Sequence, residues 1–167
     1  MNSCLLALAL ILMHPFAMPR ASSTGSAARP QALPQRELYP ANADAKTEIV
    51  EALHSASPAH KRVLVVFGAN WCFDCHVLDE YFHSPDIAPT VQRYFEVVHV
   101  NIGHGEKNGD LAQKYDVPLN RGIPAIAVLD SSGKLLFSQK QGEFEAARSL
   151  PAANILAFLN KWKSPSR

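Results

Sequence analysis

The fold is decided by the stretch Val63-Leu64-Val65-Val66-Phe67-Gly68-Ala69-Asn70-Trp71-Cys72-Phe73-Asp74-Cys75-His76. Its first five residues form an uninterrupted apolar run rich in β-branched side chains, which is typical of a strand buried on both faces. A short turn follows, and beyond Cys72 the apolar residues recur at helical spacing. The stretch therefore predicts a buried strand that leads directly into a helix, with Cys72 and Cys75 at the N-terminus of that helix.

A Cys-x-x-Cys pair at the start of a helix has a direct chemical use. The unpaired N–H groups and the positive end of the helix dipole stabilise a thiolate on the first cysteine. The second cysteine, one turn later, can attack a mixed disulfide formed by the first. Because two cysteines three positions apart close too small a loop to stabilise the fold much, we expect redox chemistry. Cys72 is the expected nucleophile, Cys75 the resolving thiol, and Trp71 a flat apolar wall beside the sulfur.

The elements on either side of this stretch predict an α/β domain. A parallel βαβ unit joined to an antiparallel hairpin gives a mixed central sheet covered by helices on both faces, which is a three-layer fold. The turn at residues 130–133 has hairpin composition. The elements predicted around the strand at 63–67 and the helix from Cys72 are helices over 45–56, 84–94, 110–115 and 151–162 and strands over 95–102, 123–129 and 134–138.

The N-terminal part of the chain predicts an export signal. An apolar stretch from Cys4 to Met13 has the length of the h-region of a signal peptide, and small residues follow it. We therefore expect a signal peptide over residues 1–27, a flexible Pro- and Ser-containing linker over 28–41, and the folded domain over 42–163. The expected location is the periplasm, and an uncleaved anchor in the membrane interface is the alternative.

Composition excludes two classes of partner. The formal net charge is +1 and both signs are spread along the chain, so there is no basic footprint for nucleic acid. No segment reaches the roughly 20 consecutive apolar residues of a membrane span. We expect no nucleic acid partner and no membrane span in the mature form.

The decisive stretch, together with Arg121-Gly122-Ile123-Pro124, resembles the thioredoxin superfamily. The resemblance covers residues 45–162 and is strongest to exported thioredoxin-like proteins with a Trp-Cys-x-Asp-Cys active site. It implies a thioredoxin-like fold and a thiol–disulfide oxidoreductase without a bound cofactor. The implied partners are protein or peptide thiols and disulfides, and a second redox protein that resets the cysteine pair.

The same resemblance implies how a substrate would dock. Pro124 corresponds to the cis-proline of the family and should face the cysteines. Ile123 should present its backbone to the substrate chain, and Trp71 should complete the substrate groove. These roles follow from the family likeness alone, because a cis X-Pro bond occurs in only about 5% of cases.

Two departures from the family pattern affect the chemistry. Thioredoxins carry a buried aspartate on the strand before the active site, where this chain has Val66. Their Gly-Pro dipeptide between the cysteines is replaced by Phe73-Asp74. A carboxylate beside the sulfurs disfavours the thiolate and favours the disulfide, which predicts a reducing couple and a reductase or isomerase rather than an oxidase.

Two residues are candidates for the missing proton relay. Asp74 lies between the cysteines, and its alternative role is a favourable charge at the helix start. His76 follows Cys75, and a histidine there could exchange protons; its alternative role is that of a solvated helix residue.

Three other functions remain open from the sequence. Cys72-Phe73-Asp74-Cys75-His76 also fits the attachment motif of c-type haem, although such motifs do not follow a buried strand. A zinc site needs about four ligands and these residues offer three, so no metal is expected. A thioredoxin-fold chaperone or binding module would need neither cysteine.

Overall fold

The computed structural model describes residues 37–165. The predicted leader, 1–27, and most of the predicted linker, 28–41, lie outside the described residues. Two short 3-10 helices, Leu119–Arg121 and Ala147–Ser149, accompany the regular elements. In chain order these are α1 Ala45–Ala59, β1 Arg62–Gly68, α2 Phe73–His83, α3 Ala88–Tyr94, β2 Phe95–Asn101, α4 Gly109–Lys114, β3 Ala125–Leu129, β4 Leu135–Ser138 and α5 Ala152–Trp162.

The four strands form one mixed sheet in the order β2-β1-β3-β4. β1 pairs in parallel with β2 and antiparallel with β3, and β4 returns antiparallel to β3. The central position of β1 explains its continuous apolar run, because both of its faces are covered and all residues from Val63 to Gly68 are buried. The buried strand and the mixed α/β fold class predicted from the sequence are confirmed.

The side chains of β1 point alternately into two apolar cores, one on each face of the sheet. Val63, Val65 and Phe67 pack in the core that contains α1 and α4 residues. Leu64 and Val66 pack in the core formed with α2, α3 and α5. This period of two along a central strand produces the three layers of the fold. None of the helices in residues 37–165 is long and apolar enough to cross a bilayer.

Two helix boundaries differ from the predicted ones by three or more residues. α1 extends to Ala59 and accommodates Pro58 near its C-terminus. The predicted helix over 84–94 begins only at Ala88, and Pro89 lies in its first turn. Proline is tolerated there because the first N–H groups of a helix have no partner within the helix. Pro89 therefore lies at the start of α3.

Residues 38–41, which the sequence analysis assigns to the linker, pack against the domain. Leu38 and Tyr39 are buried. Asn70 clamps Tyr39 by two hydrogen bonds: the Tyr39 N–H donates to Asn70 Oδ1 at 2.9 Å, and Asn70 Nδ2 donates to the Tyr39 carbonyl at 2.9 Å. Asn101 Nδ2 donates to the same carbonyl at 2.9 Å. The domain therefore begins before residue 42, because side chains distant in sequence bind this segment.

Candidate active site

The two cysteines lie where β1 hands over to α2. Cys72 is the N-cap of α2, and the Cys75 N–H donates a hydrogen bond to Cys72 Sγ at 3.2 Å. The two residues are joined by a disulfide. Cys72 is 6% exposed and Cys75 is 1% exposed, so Cys72 is the more accessible of the two. A thiolate at Cys72 would be stabilised by N–H groups at the helix N-terminus.

The segment before β3 brings Ile123 and Pro124 against the cysteine pair. The Ile123–Pro124 peptide bond is cis. The Ile123 carbonyl oxygen lies 3.6 Å from Cys72 Sγ, and the Ile123 side chain packs against the cluster that contains both cysteines. The structure thus brings together two motifs that are about 50 residues apart in the chain.

Trp71 covers the outer side of the site and is not a core residue. Its side chain belongs to the most exposed large apolar groups of the described residues, at 51%. The indole Nε1 donates to the Gly103 carbonyl at 2.8 Å, and the ring stacks parallel to His104 with centroids 5.4 Å apart. These contacts hold a broad apolar face of the indole ring in solvent beside Cys72. Exposed apolar surface of this kind is typical of a site where another molecule binds.

Asp74 is fixed by an arginine that the sequence analysis did not single out. The carboxylate is 7% exposed and accepts hydrogen bonds from Arg148 Nη2 at 2.6 Å, from Nε at 3.0 Å and from the Arg148 backbone N–H at 2.9 Å. These bonds hold the pKa of Asp74 below its ordinary value, although burial alone would raise it. An ionised carboxylate with a lowered pKa is a weak proton acceptor, so this geometry does not favour Asp74 as the proton relay.

Arg148 also contacts the other residue between the cysteines. Its guanidinium lies 4.9 Å from the centroid of the Phe73 ring. The arginine therefore covers the whole Phe73-Asp74 dipeptide and neutralises the charge of Asp74. The sequence predicts that the Asp74 carboxylate disfavours the thiolate. That prediction is corrected here, because Arg148 compensates the charge of Asp74.

His76 is a buried structural residue and not a solvated one. Its Nε2 lies 2.9 Å from the carbonyl oxygen of Asn70. Since a carbonyl only accepts, Nε2 carries the proton and donates it in this bond. His76 thus ties α2 to the turn that also holds Tyr39, and the alternative of a solvated helix residue is wrong.

Two further polar residues near the cysteines were missed by sequence reasoning. Tyr39 is fully buried in a cluster with Cys72 and Cys75. Asp79 is 6% exposed, and its carboxylate oxygens lie 3.4 Å from His99 Nε2 and 3.5 Å from His83 Nδ1. A signal for Asp79 was present, because it follows Cys75 by four residues and so lies on the same helix face. Tyr39 gave no comparable signal.

The geometry offers little to a metal ion in the described part of the chain. Within residues 37–165, no three or more His, Cys, Asp or Glu side chains converge in a way that could hold one. His76, the third residue of the zinc and haem alternatives, is already hydrogen-bonded to Asn70.

Comparison with known proteins agrees with this geometry. A crystal structure of a disulphide isomerase from Xylella fastidiosa Temecula1 is 38% identical, with a TM-score of 0.71, and the match covers 76% of this chain and 97% of that one. A thioredoxin from Buchnera aphidicola subsp. Baizongia pistaciae (strain Bp) is 38% identical over 72 residues, or 43% of this chain. The match spans 59% of that thioredoxin, which is less than two thirds of its length.

A more distant structure shares the fold. The oxidised C-terminal domain of DsbD from Neisseria meningitidis is 17% identical with a TM-score of 0.50, covering 72% of this chain and 97% of that domain. The family described as thioredoxin-like matches residues 44–131, from the cap of α1 to the turn after β3. The chain therefore belongs to the thioredoxin-like family.

Proposed function

We propose that this protein is a thiol–disulfide oxidoreductase in which Cys72 is the nucleophile and Cys75 the resolving thiol. The observation that carries the proposal is the cysteine pair at the N-terminus of α2, with Cys72 the more exposed and Cys75 sealed beneath it. Membership of the thioredoxin-like family supports the same chemistry.

The reaction consists of two disulfide exchanges. The Cys72 thiolate attacks one sulfur of a substrate disulfide, forms a mixed disulfide and releases the other substrate sulfur as a thiolate. Cys75 then loses its proton and attacks Cys72 Sγ, which forms the Cys72–Cys75 bond and releases the second substrate thiolate. Two electrons pass from the dithiol to the substrate, and the protein ends as the disulfide seen in the structure.

The substrate in this proposal is a protein or peptide that docks between Trp71 and the Ile123–Pro124 segment. Trp71 offers an exposed apolar face on one side of Cys72. The Ile123 carbonyl oxygen lies 3.6 Å from Cys72 Sγ, and Pro124 follows it in the chain. An extended chain could lie between them, and a separate redox partner would return the pair to its starting state.

The direction we propose is reduction or isomerisation. Its support is the 38% identity to the structure titled a disulphide isomerase. The charge of Asp74 adds little, because Arg148 neutralises it. Net reduction requires a partner that keeps the pair reduced, whereas isomerisation returns the dithiol after each cycle.

We also propose that the chain is exported to the periplasm. The support is the apolar stretch Cys4–Met13 and the small residues that follow it, which form a signal peptide pattern. The N-terminus of protein recovered from a bacterial periplasmic extract tests this directly. Cleavage near residue 27 is expected, and an intact leader on protein retained in the cytoplasm would contradict export.

A trapping experiment tests the proposed roles of the two cysteines. Cys75→Ala should accumulate a mixed disulfide with substrate proteins that dithiothreitol releases, because nothing resolves it. Cys72→Ala should trap nothing above the level of the Cys72→Ala/Cys75→Ala control. Equal trapping by both single variants would contradict the assignment of nucleophile and resolving thiol.

The redox potential of the pair tests the proposed direction. We expect a value near that of thioredoxin, roughly −270 mV, in defined dithiothreitol and glutathione buffers. A value near roughly −120 mV would mark an oxidase and contradict the direction. A pair that never interconverts would contradict the redox function itself.

A further inference from the structure

The proposed reaction leaves one proton without an obvious acceptor. Cys75 must lose its thiol proton when it attacks the mixed disulfide, and it is only 1% exposed. Asp74 is held ionised by Arg148, and His76 donates its Nε2 proton to Asn70. The β1 side chains from Val63 to Phe67, which lead up to the cysteine pair, are all apolar. The proton acceptor must therefore come from another element.

The Tyr39 hydroxyl and Cys75 Sγ both lie next to Gly68 in one buried cluster. A β-carbon at Gly68 would overlap the Tyr39 hydroxyl oxygen and would lie 2.9 Å from Cys75 Sγ, so both atoms occupy the same side of Gly68. The tyrosine side chain is fully buried, and among residues 37–165 its hydroxyl has no hydrogen-bond partner in the disulfide state. A buried hydroxyl without a hydrogen-bond partner costs free energy in the oxidised protein. It could gain a partner at another stage of the cycle. The Cys75 thiol of the reduced protein would supply one.

A set of titratable groups connects Tyr39 to the surface. The Tyr39 ring packs edge-on against His99, with centroids 5.2 Å apart. His99 Nε2 lies 3.4 Å from Asp79 Oδ1, and Asp79 interacts electrostatically with Tyr39. His99 is partly exposed and His83, on the other side of Asp79, is mostly exposed. The cluster therefore extends from the buried sulfur to solvent.

We propose that Tyr39 and Asp79, with His99 at the exit, transfer the proton of the Cys75 thiol to solvent during the resolving step. This inference rests on the proposed oxidoreductase function. Tyr39 shares a buried cluster with the reacting thiol, whereas Asp79 and His99 act through Tyr39. The segment that carries Tyr39 is held in place by Asn70, the residue just before Trp71 and Cys72.

The proton transfer balances as a relay. The Tyr39 hydroxyl oxygen accepts the Cys75 proton while its own proton passes to the Asp79 carboxylate through an intervening water molecule. Cys75 Sγ forms a bond to Cys72 Sγ, and the bond from Cys72 Sγ to the substrate sulfur breaks. The proton on Asp79 leaves to water by way of His99 or His83. Tyr39 serves as a hydroxyl and not as a phenolate, because burial and the nearby Asp79 raise its pKa.

A single hydroxyl deletion tests the proposal. The reduced chain, with Cys4→Ser so that only the pair reacts, is mixed with glutathione disulfide and quenched with acid. Mass spectrometry follows formation and decay of the Cys72–glutathione adduct. In Tyr39→Phe, adduct formation should stay within about twofold of wild type and adduct decay should slow about tenfold or more at pH 7, as expected for loss of acid–base catalysis. Tyr115→Phe, at another buried tyrosine, is the matched control and should leave both rates unchanged.

The pH profile separates proton transfer from packing. At high pH, hydroxide takes the thiol proton and the internal acceptor is no longer needed, so the defect of Tyr39→Phe should shrink towards wild type near about pH 9.5. The other titratable groups facing the cluster are His83 and Asp79 from α2 and His99 from β2, with Glu48 and Glu51 of α1 lining the groove beside His99. Wild type and Tyr39→Phe share these groups, so any pH effect of theirs appears in both proteins and does not produce a recovery of the variant alone.

Stability and the wild-type control keep the outcomes apart. Tyr39→Phe should melt at the same temperature as wild type or higher, because it removes a buried hydroxyl that lacks a partner. Wild type that forms no glutathione adduct would overturn the oxidoreductase function. Wild type that reacts while Tyr39→Phe resolves equally fast, or is slowed equally at every pH, would overturn the relay alone.

Discussion

Asp74 and Asp79 are two carboxylates on the same helix with nearly the same burial, yet their surroundings are opposite. Asp74 accepts hydrogen bonds from three N–H groups of Arg148, a cation that stays charged at every relevant pH. Asp79 faces two histidines and the ring of a buried tyrosine, which are groups that exchange protons. The first carboxylate is fixed in one state, and the second is placed among partners that can change theirs.

The difference teaches that position in the motif is a poor guide to proton transfer. Asp74 stands between the cysteines, so it is the natural candidate from the sequence. In the structure, hydrogen bonds from Arg148 lower the pKa of Asp74 and keep its carboxylate ionised. Asp79 lies four residues beyond Cys75 and outside the motif, but it interacts electrostatically with Tyr39, which is buried in one cluster with Cys75. The predictions below test whether the two carboxylates differ in this way.

The largest expected effect is on stability, at Asp74. Asp74→Asn should lower the free energy of unfolding of the oxidised protein by about 2 kcal/mol at pH 7, because the hydrogen bonds from the Arg148 guanidinium lose their negatively charged acceptor. The exposure of Arg148 keeps the loss from being larger. Urea titration followed by fluorescence measures it.

The control for this stability loss is Asp86→Asn, at an exposed aspartate just beyond α2. A surface change of this kind should stay within about 0.5 kcal/mol. If Asp74→Asn is equally silent, the bonds from Arg148 are not stabilising and the contrast between the two carboxylates loses its first half.

The same loss should depend on pH with a definite sign. The pKa of Asp74 is lowered in the folded protein, so the stability it contributes is present above its unfolded pKa of about 3.9 and disappears as pH falls through the folded pKa. The gap between wild type and Asp74→Asn should therefore be constant from about pH 5 to pH 7 and close below about pH 4. A gap that stays open in acid would mean that the asparagine disturbs packing.

The second half of the contrast concerns rate. Asp79→Asn should slow decay of the Cys72–glutathione adduct about tenfold at pH 7, whereas Asp74→Asn should change it less than twofold. Because Tyr39 and Asp79 act in one relay, Tyr39→Phe/Asp79→Asn should be no slower than the slower single variant. Effects that multiply in the double variant would show that the two residues act independently.

The sequence predicts the parts of the fold and the site that are positioned by neighbouring residues in the chain. It does not predict those that are held by residues far away in the chain. The strand at Val63–Phe67 and the helix start at Cys72 follow from local periodicity, and Pro124 follows from a family motif. Tyr39 is held by Asn70, 31 residues away, and Asp74 by Arg148, 74 residues away. Such contacts leave no periodic trace in the sequence, which alone predicts a linker at Tyr39 and an uncompensated charge at Asp74.

Asp79 is a different kind of omission. Its spacing from Cys75 places both on one face of α2, which periodicity does predict. What the sequence could not supply was the buried hydroxyl between that face and the sheet. Without Tyr39 in position, an aspartate on a helix is most simply a solvated charge. Val66 stands where the family has a buried aspartate. From the sequence alone, the candidates to replace that proton acceptor are therefore the motif residues Asp74 and His76.

The smallest expected effect is on the redox potential, at Arg148. Arg148→Met removes the cation but keeps an apolar stem against Phe73, which leaves the Asp74 carboxylate uncompensated next to the cysteine pair. A negative charge there disfavours the thiolate of the reduced form and favours the disulfide. The potential should therefore become more negative by about 10–20 mV, where 30 mV corresponds to a tenfold change in the equilibrium.

Arg148→Lys provides the matched control for this shift, because it keeps the charge and loses the two-pronged geometry. It should shift the potential less than Arg148→Met. In Arg148→Met/Asp74→Asn the negative shift should vanish, since no carboxylate remains to act on the sulfurs. A shift that persists in the double variant would come from altered packing around Phe73, and the neutralisation of Asp74 by Arg148 would then have no bearing on the chemistry of the pair.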